Sequence, residues 1–239
     1  MLFYVTLVVA TIFLGILSII TVLLLRKPQW AHQYGRLWAY LILFASGVKI
    51  TVVGKENLDS IQPCIFAANH ASQFDIFALY AAIPVQFRWL AKIELFHIPI
   101  LGQAMKVIGY IPIDRSDRRA AFKSIDQAAR KVRQGTSILI FPEGTRSIDG
   151  KLQPFKKGGF VLAIKSGRPL VPISICGSQE ILAKKSWMIH PGRITVRFGK
   201  PVPTSDTDLK DRNRLIDTIY RKIAQNLPLN QKAAPSKEL

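Results

Sequence analysis

The hydrophobic pattern divides the chain into two unlike parts. From Leu2 to Leu25 no residue is charged, and as a helix this stretch runs roughly 36 Å at about 1.5 Å per residue. That exceeds the roughly 30 Å hydrocarbon core of a bilayer, so a membrane-embedded helix is predicted. A cleaved signal peptide fits poorly, because no basic start opens the run and no small-residue cleavage site precedes Arg26. A second apolar stretch, Leu37 to Val48, covers only about 18 Å and is too short to span alone. Either the first helix spans and the second lies in the interface, or the two form a hairpin dipping into one leaflet. Thr11, Gly15 and Ser18 share a helical face where another helix can approach closely. Trp30, Tyr34, Trp38 and Tyr40 suit an interfacial belt, and Arg26, Lys27 and Arg36 place the rest of the chain on the cytoplasmic side of an inner membrane.

After Gly47 the long runs give way to short ones punctuated by Gly, Pro and polar residues. Strands are predicted at 48–53, 64–68, 87–91, 110–113, 137–141, 170–175 and 194–198. Between them, 118–133 carries Ala121, Ile125, Ala128, Ala129 and Val132 at helical spacing, with Gly135 as a stop. Residues 155–165 and 208–226 are further helix candidates. This alternation predicts an α/β fold, a mixed but largely parallel sheet flanked by helices, behind an N-terminal membrane-embedded pair of helices. The expected organisation is membrane-anchoring helices over 1–50, the α/β domain over 51–227, and a polar, Pro-containing, disordered tail over 228–239.

Charge narrows the range of partners. Lys and Arg number 33 against 15 Asp and Glu, a net +18, which calls for a negatively charged partner. Nucleic acid, anionic lipid, an acidic carrier protein and a phosphorylated substrate all meet that need. No nucleic-acid motif or interleaving of aromatic with basic residues accompanies the charge, so nucleic acid is not expected. Cys64 and Cys176 sit in apolar runs as small buried hydrophobes, with no disulfide or metal implied.

In open α/β sheets, sites gather where the carboxyl ends of parallel strands meet the following loops. Four polar segments fall at such ends. In Asn69-His70-Ala71-Ser72-Gln73-Phe74-Asp75, a histidine at the turn past a strand and an aspartate five residues on, in the first turn of the next helix, can face each other. The carboxylate would fix the imidazole tautomer and leave the other nitrogen to take a proton. No Gly-x-Ser-x-Gly elbow is present, so the pair is expected to activate a substrate hydroxyl without a covalent enzyme intermediate. Phe141-Pro142-Glu143-Gly144-Thr145-Arg146-Ser147 offers a carboxylate, a flexible glycine, a hydroxyl and a guanidinium suited to phosphate. Arg115, after Gly109–Asp114, and Lys92, after the 87–91 strand, add two cations to the predicted rim. The apolar stretch Leu95–Leu101, leading to Met105 and Ile108, is a candidate lining for an acyl chain, or core, or an interfacial helix.

Taken in order, Asn-His-x4-Asp, Gly-x4-Asp-Arg, Phe-Pro-Glu-Gly-Thr-Arg-Ser and Val171-Pro172-Ile173-Ser174-Ile175 resemble the four motif blocks of the glycerolipid acyltransferases. The chain is most similar to the bacterial 1-acyl-glycerol-3-phosphate acyltransferases, over about 54–199. The resemblance implies that His70, oriented by Asp75, deprotonates the sn-2 hydroxyl of lysophosphatidic acid, which attacks an acyl thioester. It implies that Glu143, Gly144, Thr145 and Arg146 hold the glycerol phosphate, with Arg115 and Lys92 on its phosphate. Asn69, Lys156 and Lys157 are further substrate-binding candidates, and Pro172 would shape the donor side. The donor is acyl-CoA or acyl carrier protein, with no cofactor and no metal, and the lipid partners are lysophosphatidic acid and an anionic membrane surface. Two other readings share these residues: an acyltransferase of the same superfamily acting on a lyso-ornithine lipid or another lysophospholipid, and a non-catalytic basic protein binding lipid or nucleic acid.

Overall fold

The structure, a computed structural model, describes residues 2–59 and 61–232. The apolar run forms helix α1 (Leu2–Leu25), and α2 (Pro28–Ala45) folds back beside it. The Trp38 indole N–H donates to Thr11 Oγ1 at 2.9 Å, and the Thr21 hydroxyl donates to the Tyr34 hydroxyl at 3.3 Å. Pairing 11 with 38 and 21 with 34 makes the two helices an antiparallel hairpin. Gly15 admits a close approach, but by Ile100 and not by α2: a Cβ there would stand 2.7 Å from Ile100 Cγ2. The second helix begins at Pro28, well before the expected Leu37. Proline is tolerated in a first turn, where its missing N–H has no partner to lose. The polar-aromatic first half of α2 was not legible as helix because its inner face meets protein. Ala31 and His32 are fully buried, the latter between the Tyr80 and Phe87 rings.

The remaining elements are β1 (Val48–Val53), β2 (Ile65–Ala68), α3 (Phe74–Ala82), β3 (Phe87–Lys92), α4 (Leu101–Ile108), β4 (Ile111–Ile113) and α5 (Arg118–Arg133). They continue with β5 (Ser137–Ile140), α6 (Gly158–Ser166), β6 (Leu170–Cys176), α7 (Ser178–Ile181), β7 (Gly192–Phe198) and α8 (Arg212–Ala224). All seven predicted strands are present. Helix α5 keeps its predicted limits because Asp117 caps it, accepting from the N–H groups of Arg119 and Ala120. Helix α6 starts later than the expected Phe155, since the Lys156 N–H is committed to the Pro142 carbonyl at 2.8 Å.

The strands form one sheet in the order β1-β7-β6-β2-β5-β3-β4. Every neighbouring pair is parallel except β6 with β7. Strands β6, β2, β5, β3 and β4 therefore point the same way, and their carboxyl ends make one rim. Alternation along β2 serves two cores, as a period of two requires. Phe66 and Ala68 pack with α2 and α3 on one face, whereas Ile65 and Ala67 pack with α5, α6 and α8 on the other. Burying a side chain such as Phe66 stabilises the fold by about 2–3 kcal/mol.

The tail departs from expectation where it is described. Leu229–Gln231 form a 3-10 turn, Gln231 is buried, and its carbonyl accepts the Leu152 N–H at 2.9 Å. The turn ties the chain end to the loop that follows β5, which polar composition alone does not reveal. Residues 233–239 of the expected tail lie outside the described residues.

Candidate active site

Strand β2 ends at Ala68, and the buried Asn69 side chain takes over from the ladder. Its Nδ2 donates to the Ile175 carbonyl at 2.9 Å and its Oδ1 accepts the Ile175 N–H at 2.7 Å. This clasp onto β6 fixes where the next residue emerges, and it commits one N–H and one lone pair of the buried amide that was a substrate-binding candidate. His70 is then held on several sides. Its N–H donates to Glu143 Oε1 at 2.6 Å, and its carbonyl accepts the Ser147 N–H at 2.8 Å. Its ring lies flat on Phe141, with centroids 3.8 Å apart and planes within 8°.

His70 Nδ1 stands 2.9 Å from Asp75 Oδ2. Asp75 is fully buried in the first turn of α3, where the helix dipole favours an anion. The same Oδ2 accepts the N–H groups of Ala71 and Ser72, each at 2.8 Å. A carboxylate can only accept, so the Nδ1 beside it must be the donor, and the neutral ring carries its lone pair on Nε2. His70 keeps 14% of its side-chain surface exposed while Asp75 keeps none, so the imidazole has an open edge and its partner does not. The nearby hydroxyls are committed elsewhere: Ser72 Oγ donates to the Leu182 carbonyl at 2.7 Å, and Ser147 Oγ to Asp149 at 3.0 Å. Among the described residues none of these hydroxyls engages the His70 ring. The arrangement can take a proton from a hydroxyl brought to it.

Glu143 occupies a place different from the one expected. It is buried, with Oε1 on the His70 N–H and Oε2 on the Gln153 N–H at 2.9 Å. Burial pushes its carboxyl up to about 8, against the pull of those two N–H groups, and the Asp75 charge pushes the same way. With both oxygens occupied by backbone, Glu143 braces the loop after β5 against the His70 loop and does not offer itself to a phosphate.

Around this brace lies the cationic part of the site. Gly144 has φ +76°, and its N–H closes a turn on the Phe141 carbonyl at 3.0 Å. A Cβ at Gly144 would meet Lys156 Cδ at 2.9 Å and Nζ at 3.2 Å, so the Lys156 chain lies directly over the turn. Thr145 and Lys157 are exposed and Arg146 is half-buried, its carbonyl accepting from Lys184 Nζ at 2.6 Å. Lys92 and Arg115 are exposed on the same rim but to one side. With strands about 4.8 Å apart, β3 and β4 stand roughly 10 and 14 Å from β2. Lys92 is paired with Glu94 at 2.7 Å. Pro172 is not on the rim at all: it is buried within β6 opposite Ala67, accepting the Gly199 N–H at 2.8 Å. Lacking an N–H, it returns no bond to β7.

Sequence reasoning missed Ser72, Phe141, Gln153 and Lys184 as supports of the site. Phe141 stood in a quoted motif, and its place just past a buried strand was the available signal; Lys184 carried none. A slot lined by Leu14, Gly15, Trp38, Tyr80, Leu101 and Met105 runs between the hairpin and α4.

Fold and site define a class: an α/β domain in which a histidine, hydrogen-bonded to a buried carboxylate, stands on a rim that also carries cations. A family model described as Acyltransferase matches residues 49–176. A chloroplastic 1-acyl-sn-glycerol-3-phosphate acyltransferase of Brassica napus is 36% identical over 205 residues, covering 85% of this chain and 58% of the relative. A 1-acyl-sn-glycerol-3-phosphate acyltransferase of Limnanthes douglasii is 34% identical over 220 residues, covering 90% of this chain and 78% of its own length. The crystal structure of the 1-acyl-sn-glycerophosphate acyltransferase PlsC from Thermotoga maritima superposes with a TM-score of 0.77 at 26% identity, covering 93% of this chain and 92% of that one. The chain belongs to the acyltransferase family. It spans little more than half the length of the Brassica relative.

Proposed function

We propose that this chain transfers a fatty acyl group from an acyl thioester to the sn-2 hydroxyl of 1-acyl-glycerol-3-phosphate, forming phosphatidic acid. The observation that carries the reading is His70 Nδ1 bound to Asp75 at 2.9 Å with the Nε2 edge open to the rim. The names of the relatives point to the same acceptor. Nε2 takes the hydroxyl proton as the oxygen attacks the thioester carbonyl, and Asp75 stabilises the imidazolium that forms. Collapse of the tetrahedral intermediate expels the thiolate, which takes the proton from His70, leaving an ester and a free thiol. Arg146, Thr145, Lys156 and Lys157 hold the acceptor phosphate, while Arg115 and Lys92 add positive potential farther along the rim. The donor is acyl-CoA or acyl carrier protein, and the chemistry needs no cofactor.

Both acceptor and product are anionic amphiphiles, so the site has to work at a bilayer. Helix α1 packs against α2 and α4 while Val5, Val9, Ile12, Phe13 and Ile16 remain exposed on its outer side. A helix tied lengthwise to the domain cannot cross a bilayer without dragging the domain in. The hairpin is therefore read as lying within the cytoplasmic leaflet of the inner membrane, with the slot beside α4 open to an acyl chain. His70→Ala is expected to abolish acyl transfer while circular dichroism and vesicle association stay those of the native chain; an active variant ends the reading. A panel of lysolipids tests the acceptor, where transfer to the phosphomonoester is expected to exceed transfer to lyso-ornithine lipid or to lysophospholipids with larger head groups.

A further inference from the structure

The loop after α7, Lys184-Lys185-Ser186-Trp187-Met188, has no part in the chemistry above. It nevertheless leaves two large apolar side chains in the open, Trp187 at 81% and Met188 at 67% exposure. Adjacent exposed apolar groups of this size mark an interaction surface. They lie across the open end of the helical hairpin. The Tyr4 hydroxyl donates to the Trp187 carbonyl, and the Tyr4 and Trp187 rings are 6.2 Å apart. Leu2, Ala45 and Ser46 border the same hollow as Trp187 and Met188. The hairpin is itself bare there, with Leu2 67% and Phe44 88% exposed. Three segments far apart in sequence thus bring unburied apolar side chains to one end of the molecule. The stretch of chain that carries the loop is cationic: from Ile181 to Ser205 there is no acidic residue, whereas Lys184, Lys185, Arg193, Arg197 and Lys200 fall in the interval.

We propose that this loop is a second membrane-docking element, with Trp187 and Met188 entering the headgroup region of a phospholipid bilayer beside the hairpin end and Lys185 at the level of the phosphates. The inference rests on the membrane reading of the hairpin, with which the loop forms one continuous apolar surface. Tryptophan suits this position because its ring prefers the boundary between headgroups and hydrocarbon, and lysine because the leaflet surface is negative. The loop is also tied to the site. The Leu182 carbonyl accepts from Ser72 Oγ at 2.7 Å, beside the carboxylate of Asp75, and Lys184 Nζ holds the Arg146 carbonyl at 2.6 Å. Docking of the loop therefore sets the height at which the His70 loop and the Arg146 turn meet the lipid.

The test uses the full chain reconstituted into vesicles of phosphatidylglycerol and phosphatidylethanolamine, with a nitroxide on Met188→Cys. Cys64 is buried and Cys176 half-buried, and the unsubstituted protein labelled in parallel supplies the background. Collisions with oxygen and with a water-soluble nickel chelate are compared with those of labels at Phe44→Cys on α2 and Asp217→Cys on the exposed side of α8. At position 188 the label is expected to lose nickel collisions relative to position 217 and to keep oxygen collisions, as at 44. Nickel access at 188 with shielding at 44 overturns the loop proposal and leaves the hairpin reading standing. Nickel access at both overturns the two together. Shielding at 188 from both colliders signals a protein cover in place of lipid and also overturns it. Trp187→Cys supplies the same measurement should Met188→Cys fail to give active protein.

Discussion

Replacing Glu143 by glutamine separates the brace from its charge. Burial raises the native carboxyl from 4.5 to about 8, so between those limits the folded chain holds a proton that the unfolded chain has released. The stability linked to that proton is complete below pH 4.5 and is lost as pH rises toward 8. One proton of difference changes stability by about 1.4 kcal/mol per pH unit, or about 2.7 kcal/mol between about pH 5.5 and about pH 7.5. For a chain of this length that is roughly 5–10 °C in melting temperature. Glutamine cannot titrate, and it offers one acceptor where Glu143 offered two. Its carbonyl can take the N–H of His70 or of Gln153, and its NH2 then faces the other donor. An unpaired buried donor costs about 1–3 kcal/mol. Glu143→Gln is therefore expected to melt below the native protein near pH 5.5, with the gap closing or reversing by pH 7.5. Thermal unfolding in detergent micelles, followed by near-ultraviolet circular dichroism at a series of pH values, reads the difference, and comparing two otherwise identical chains cancels all other titrations. Parallel pH profiles for the two proteins would refute the linkage. The variant is also expected to lose kcat more than acceptor affinity, because the brace holds the His70 backbone and not the substrate.

Ala71, Ser72 and His70 all donate to the one oxygen Oδ2, so Asp75→Asn is expected to set its carbonyl there and its NH2 at the unpartnered Oδ1 position, keeping the ring tautomer but removing the charge that stabilises the imidazolium. Losing a charge-assisted hydrogen bond to the imidazolium, about 1.5–3 kcal/mol, lowers kcat by about 10–10²-fold, and phosphatidic acid formation by a well-folded variant that keeps its full rate would sink the role given to Asp75. Asn69→Ala leaves both the N–H and the carbonyl of Ile175 buried without their partner, a cost of about 2–6 kcal/mol for two groups. Denaturant midpoints measure it, and a neutral result would mean that the clasp is not what holds the end of β2.

How much of the fold was legible depended on how each element is buried. Parallel strands covered on both faces appear as short apolar runs, and Ile65–Ala68 and Ser137–Ile140 are buried at every position. Helix α5 was legible for the opposite reason, a buried stripe set against a charged face. Helix α3 was legible only at its start, where Asp75 was expected in a first turn; its extent was not, because Phe74, Asp75, Phe77, Ala78, Leu79, Tyr80 and Ala82 are all buried and leave almost no polar face to set a period. Helix α4 has only eight residues, too few for a pattern.

The site divides along a similar line. The positions of His70, Asp75, Arg146 and the other cations could be inferred from where strands end, and those ends do share one rim. Their distances from His70 could not, because distance depends on strand order. Along the chain β3 and β4 follow β2, which would make Lys92 and Arg115 the nearest neighbours of the histidine. In space β5 lies between β2 and β3, so the turn carrying Gly144 and Arg146 docks directly on His70 through Glu143 and Ser147. In the proposed reaction the cations thereby fall into two groups with different work. Arg146 and Lys156 stand at the turn that touches the base and can hold a phosphate while its glycerol hydroxyl reaches Nε2. Lys92, already paired with Glu94, and Arg115, a further strand away, act through the field they add to the rim. A motif written as a string gives these residues equal rank; the crossover that inserts β5 beside β2 is what ranks them.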